Sequence, residues 1–249
     1  MRDCDGYAVA LTWSMTNIYD VGPGETILTA SDVGWVVGHI YIVYWPLLAG
    51  ATTVLYEGKP VGTPDAGQFW RVVADYRVKA LFTAPTAIRA IKKEDPSGQR
   101  LRDHDISSLT SLFLAGERLD PETYRWATEL LGVPVIDHWW QTETGWPIVG
   151  NPMGIEPLPL KAGPPTRPLP GWDIQVLSVD GSPVASGEDG AIVIKLPMPP
   201  GALTTLWQDD DRFIGSYLSA FAGFYLTGDG GHLDADGYLF VMGRPTVVP

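Results

Sequence analysis

The sequence predicts an α/β fold: a largely parallel sheet with flanking helices, followed by a smaller β-rich subdomain. Three observations predict it. Short apolar, β-prone runs alternate with helix-like segments along residues 1–155. A cluster of prolines then interrupts all regular patterning. Beyond it, over 156–249, strand-like runs are separated by Asp-Gly turn signals.

Taken in order, the β-prone runs of the first part are Ile27-Leu28-Thr29, Thr52–Tyr56, Ala80-Leu81-Phe82, Leu112-Phe113-Leu114 and Val133–Ile136. They are short and almost wholly apolar, as strands buried on both faces must be. Between the first two, no Asp, Glu, Lys or Arg occurs from Val33 to Tyr56. That length could cross a bilayer, but Gly34, Gly38, Pro46 and Gly50 break it up and His39 adds a polar group, so no membrane span is expected. A helix is expected after Thr63-Pro64-Asp65, with Phe69, Val72, Val73 and Tyr76 on one face, and another after Pro85. The clearest helix starts at Asp120 as N-cap with Pro121 in the first position. It buries Tyr124, Ala127, Leu130 and Leu131 and stops at Gly132. The proline connector runs from Pro152 through Pro157, Pro159, Pro164, Pro165 and Pro168 to Pro170. Asp173–Val179, the Asp180-Gly181 turn, Gly190–Leu196, and the Asp236-Gly237 turn before Tyr238–Met242 read as hairpin material.

Composition narrows the function classes. With 249 residues, 45% hydrophobic and 18% charged, the chain can build a substantial core. Its 17 basic and 29 acidic residues give a formal charge of -12, which repels a nucleic-acid backbone over most of the surface. Small anions remain accessible, because Mg²⁺ and backbone N–H groups hold phosphates locally. Cys4 is the only cysteine, so there is no internal disulfide and no cysteine-based zinc site. That fits a reducing compartment, the cytoplasm or a mitochondrial matrix. The segment Met1–Gly6 lacks the apolar stretch of an export signal.

Ligands of α/β sheets collect where strands end. Three post-strand segments stand out: Ser31–His39, Ala115-Gly116-Glu117-Arg118, and Asp137–Gly145. The last packs two indoles, an amide, a hydroxyl and a carboxylate together, which suits a planar ring, a phosphate and a metal ion. Each residue also has a plain structural role. An isolated tryptophan belongs more often to a core, and Glu143 or Asp229 alone would be a surface acid. Trp139 and Trp140 are adjacent, however, and neighbours in an extended segment cannot both enter one core layer. Asp229 could serve the turn-rich run Thr227–Gly231. His39, His104 and His232 lack ligand spacing, and Lys59 reads as a solvated loop residue. A tryptophan-rich glycosidase is the weaker alternative, since it needs two carboxyl groups facing one bond.

Trp139-Trp140-Gln141-Thr142-Glu143-Thr144-Gly145 resembles the signature loop of acetyl- and propionyl-CoA synthetases, in the AMP-forming (adenylate-forming) acyl-CoA synthetase superfamily. Ser31–His39, Tyr56–Pro60, Ala115-Gly116-Glu117, Tyr225–Asp229 and Gly243-Arg244 resemble further motifs of that family in the same order. The resemblance implies the large N-terminal domain of an adenylate-forming enzyme. Such an enzyme activates a short-chain carboxylic acid with ATP and Mg²⁺ and passes the acyl group to coenzyme A. By this resemblance Gly116, Glu117, Arg118, Asp137, His138, Trp139, Gln141 and Thr142 bind the nucleotide, with Asp229 and Arg244 on the ribose. Thr142 and Glu143 are the catalytic candidates, Glu143 as the metal ligand. Trp35, Val36, Val37, Ala115 and Trp140 form the acyl pocket, and Ala115 stands where acetate-selective relatives have valine, which favours propionate. The family also has a phosphate loop before the region matching Met1-Arg2-Asp3 and a lysine-bearing domain after Gly243-Arg244. The sequence therefore resembles an internal fragment, whose rival reading is a catalytically silent nucleotide-binding or interaction module.

Overall fold

The chain begins with helix α1 (Cys4–Asn17), whose N-cap Asp3 accepts the Gly6 N–H through its side chain. These and the following elements come from a computed structural model that describes residues 1–163 and 165–243. Strand β1 (Thr26–Thr29) follows, then a winding that is helical from Val36 to Leu48: α2 (Val36–Gly38), a π-helical segment (His39–Tyr44) and α3 (Trp45–Leu48). Gly38 and Pro46 do not break this stretch as expected. The winding loosens to π before Pro46, which sits at the start of the next helical turn, where its missing N–H costs nothing. Strand β2 (Thr52–Thr53) is shorter than the expected Thr52–Tyr56 run. Among the described residues it is an edge strand with β1 as its only neighbour, and the chain leaves it at exposed Leu55.

Next come α4 (Gln68–Tyr76), β3 (Ala80–Thr83), α5 (Pro85–Glu94), β4 (Ser111–Leu114), α6 (Pro121–Leu131) and β5 (Val135–Asp137). The α6 ends follow the expected chemistry. The Asp120 side chain accepts the Thr123 N–H at 2.8 Å, and Gly132 closes the helix at φ 66°. Its fully buried residues are Thr123, Ala127 and Leu131, while Tyr124 and Leu130 are half-buried. On α4 the buried set is Phe69, Trp70, Val72 and Val73. Tyr76 is exposed because it occupies the last turn, where Arg77 ends the helix in the left-handed region.

The five strands form one parallel sheet in the order β2-β1-β3-β4-β5. Alternate strand residues face opposite sides. Ile27, Ala80, Phe82, Phe113 and Ile136 pack on α1 and the helical segment carrying Tyr41 and Trp45. Leu28, Leu81, Leu112, Leu114 and Val135 pack on α4, α5 and α6. This two-sided burial explains the unbroken apolar runs.

After β6 (Val149–Gly150), β7 (Arg167–Pro168) pairs back on it antiparallel. The chain then forms β8 (Ile174–Leu177), β9 (Gly190–Lys195), helix α7 (Asp210–Tyr217), β10 (Phe224–Leu233) and β11 (Leu239–Gly243). The four strands make an antiparallel sheet ordered β11-β10-β9-β8. Ile174, Ile192, Ile194, Tyr225 and Leu239 from this sheet join the same apolar cluster as α1 and the parallel sheet. The run Thr227–Gly231, which reads as a turn, lies inside β10, and the pairing register shifts there on both sides of Gly230. No helix among the described residues is long and apolar enough to cross a membrane.

Candidate functional site

Two cavities of about 320 Å³ each open at the carboxyl ends of the parallel strands, as a parallel α/β sheet leads one to expect. The first is walled by Gly116, Glu117, Arg118, Asp137, His138, Trp139 and Trp140, together with Gly163, Pro165, Asp229, Val241, Met242 and Gly243 from later in the chain. The second is walled by Trp35, Val36, Val37, Ala115, Gly116, Trp140, Gln141 and Thr142, together with Ser31, Phe82, Thr83 and Ala84. Gly116 and Trp140 belong to both. All five residues expected at an acyl group therefore share one cavity, and those expected around a nucleotide base share its neighbour.

Local folding explains why these residues meet. Gly116 leaves β4 at φ 102°, a conformation that side-chain-bearing residues rarely adopt, and nothing lies within 4 Å of where a Cβ would stand. The adjoining Glu117 carboxylate accepts the Thr86 N–H at 2.7 Å in the first turn of α5 and pairs with Arg89 at 2.6 Å. Trp139 is held to Val149 by paired backbone bonds of 2.9 and 3.1 Å. The segment after it closes into a tight turn in which the Thr144 and Gly145 N–H groups bond the Gln141 carbonyl.

The polar groups divide by environment. Asp137 accepts the Leu119 N–H at 3.3 Å, and burial pushes its carboxyl up to about 7 against that bond and the nearby Arg118 charge. His138, expected at the base, is 1% exposed and both of its ring nitrogens are engaged. Nδ1 lies 2.7 Å from the Leu114 carbonyl oxygen and Nε2 lies 2.8 Å from the Tyr19 hydroxyl. Burial lowers it to about 4, so it is neutral at pH 7.

Thr142 is exposed on the second cavity. Glu143 walls neither cavity; its Oε1 accepts the Tyr217 hydroxyl at 3.3 Å. Burial, then the Glu143 charge, raises the Tyr217 phenol above its ordinary value. Tyr217 stacks on Tyr225 with ring centroids 5.3 Å apart and planes 7° apart. Among the described residues no three His, Cys, Asp or Glu side chains cluster as metal ligands. Arg244 lies outside the described residues.

Sequence reasoning missed Thr83 and Ala84, although they directly follow β3 and the same post-strand argument covers them. It also missed Gly163, Val241 and Met242 in the first cavity, and Tyr217, whose segment has no motif to mark it, whereas Asp229 and Gly243 of that cavity were marked by the family motifs.

The AMP-binding enzyme family model matches residues 5–199. An uncharacterized protein of Pseudomonas aeruginosa is 54% identical over 244 residues, covering 98% of this chain and 39% of that protein. The human mitochondrial acyl-CoA synthetase short-chain family member 3 is 50% identical over 248 residues, covering 98% and 36%. A propionate–CoA ligase of Salmonella typhimurium is 50% identical over 245 residues, covering 98% and 38%. The chain thus spans well under half the length of these relatives.

Proposed function

The chain belongs to the AMP-binding enzyme family, and from that premise we propose that its two adjoining cavities hold the acyl-adenylate of a short-chain acyl-CoA synthetase with propionate as the preferred acid. One observation supports this above the others: Gly116 and Trp140 line both cavities, so a nucleotide in one and a small acyl group in the other would meet at a common wall.

In this reading adenine lies between the Gly116-Glu117-Arg118 turn and the Trp139 indole, with Asp137 at its border. Asp229 and Arg244 hold the ribose hydroxyls, one accepting and the other donating. A carboxylate oxygen attacks the α-phosphorus of ATP as the bond to the bridging oxygen of the β-phosphate breaks, which gives acyl-AMP and pyrophosphate. The thiol of coenzyme A then attacks the acyl carbon, its proton is lost, and AMP leaves. Thr142 donates a hydrogen bond to the α-phosphate. Trp35, Val36, Val37, Ala115 and Trp140 enclose an apolar space that accepts a few carbons and excludes water.

A Mg²⁺ ion would neutralise the phosphates as two anions approach, and Glu143 would be its protein ligand. One carboxylate fits a phosphate-bound Mg²⁺, which takes its other oxygens from phosphate and water.

The test is a calorimetric titration of the chain with AMP. Trp139→Ala should weaken binding about tenfold, the scale of one lost base–aromatic stack. An affinity that Trp139→Ala leaves unchanged contradicts the placement of the base. Absence of AMP binding contradicts the reading as a whole.

A further inference from the structure

The Gln141 side chain is committed to the opposite sheet. Its Nε2 donates to the Thr227 carbonyl at 2.7 Å and to the Asp229 Oδ2 at 2.8 Å, while its Oε1 accepts the Tyr225 hydroxyl at 3.3 Å. The amide orientation is settled by chemistry, because a carbonyl and a carboxylate only accept. Both N–H hydrogens are thereby used, and Gln141 has no donor left for a ligand.

The groups it holds belong to the irregular part of β10. The register shifts there, Gly228 takes φ 75°, and the Thr227 hydroxyl bonds back to the Ile192 carbonyl at 2.6 Å. A bulge of this kind turns a side chain out of the strand's alternation. Here the turned residue is Asp229, which walls the first cavity, whereas Gln141 walls the second. Gln141 therefore reaches from one cavity to fix a carboxylate in the other.

We propose that Gln141 is a positioning residue for ribose recognition: it holds the Asp229 carboxylate at the first cavity and acts on the nucleotide only through it. This rests on the reading of Asp229 as the ribose contact. A charge-assisted bond from an amide fixes one carboxylate oxygen and its rotamer, so the carboxylate meets the ribose hydroxyls already oriented.

The experiment compares AMP with 2′,3′-dideoxy-AMP, which lacks both hydroxyls, by titration of the chain and three variants: Gln141→Met, Asp229→Ala and the double variant. The unchanged chain should prefer AMP by about tenfold or more, and Gln141→Met should lose about five- to tenfold for AMP, the scale of one ordinary hydrogen bond. It should leave dideoxy-AMP within about twofold, and on the Asp229→Ala background, where nothing remains for Gln141 to position, it should cost nothing further.

Equal weakening of both nucleotides by Gln141→Met would reduce the residue to a structural tie and overturn the proposal. A further loss in the double variant would mean direct ligand contact and would also overturn it. If the unchanged chain failed to distinguish the two nucleotides, the ribose role of Asp229 would fall, and the proposal with it. Gln141→Glu preserves the side-chain length and sets a second carboxylate against Asp229. It should show the same ribose-dependent pattern with a larger loss, and an equal loss for dideoxy-AMP would again overturn the proposal.

Discussion

Asp137 and His138 are neighbours whose surroundings drive them in opposite directions. Burial pushes the Asp137 carboxyl up to about 7 and the His138 imidazole down to about 4. Linkage fixes the consequences. Asp137 contributes stability that is fully present below its unfolded pKa, roughly 3.9, and is lost as pH rises through about 7. His138 contributes stability that is present above its unfolded pKa, roughly 6.5, and is lost as pH falls through about 4. Between those limits the two effects oppose each other. Asp137→Asn removes the first only, so its stability relative to the unchanged chain should climb from pH 4 to 7, by at most about 1.4 kcal/mol per pH unit. Urea denaturation at several pH values measures the difference, and parallel profiles would contradict it. The family resemblance places His138 at the nucleotide, in a segment that directly follows β5. It could not show that Tyr19, more than a hundred residues away, would meet the ring at 2.8 Å in the core.

At the scale of elements, β10 and α6 show what local chemistry can and cannot reveal. The α6 helix was legible because its ends are chemical signals: Asp120 accepts an orphan N–H, Pro121 has none to lose, and Gly132 accepts a positive φ. In β10 the residues Thr227-Gly228-Asp229-Gly230-Gly231 suggest a turn, but Leu226 before them and Gly230-Gly231 at their end both pair with β9, so Thr227-Gly228-Asp229 form an irregularity inside one strand and do not end it. Helix α1 went unmarked because its apolar residues follow no clean stripe: Ala10, Leu11 and Met15 are buried while Val9 is exposed. The post-strand segments supply much of the lining of the two cavities, because that argument depends on topology alone.

A Cβ at Gly231 would stand 1.9 Å from the Phe240 carbonyl oxygen, so Gly231→Ala must separate β10 from β11. A loss of at least about 2 kcal/mol is expected by analogy with overpacking. Gly215 in α7 has open space around it, and Gly215→Ala should be neutral or stabilising by about 0.5–1 kcal/mol. Equal midpoints for the two variants in urea would contradict the strand assignment.

Over the whole molecule, the proline connector divides composition but does not divide the core. Leu11 of α1, Phe82 and Phe113 of the parallel sheet, and Ile192, Tyr225 and Leu239 of the antiparallel sheet lie in one apolar cluster. A shared core ties the stability of each sheet to the other, so tryptophan fluorescence and far-ultraviolet dichroism should report one coincident unfolding transition. Two separated transitions would show independent units. The same packing sets the two cavities side by side, and the central claim is that they hold one acyl-adenylate. The most direct measurement is the affinity of the chain for non-hydrolysable acyl-adenylates bearing acetyl, propionyl, butyryl or hexanoyl groups, compared with AMP. Each buried methylene contributes roughly 0.8 kcal/mol until the wall is reached, so propionyl should bind several-fold more tightly than acetyl, with hexanoyl disfavoured by Trp140. Ala115→Val should move the optimum to acetyl. Affinities equal to that of AMP whatever the acyl group, and unmoved by Ala115→Val, would contradict the joined site.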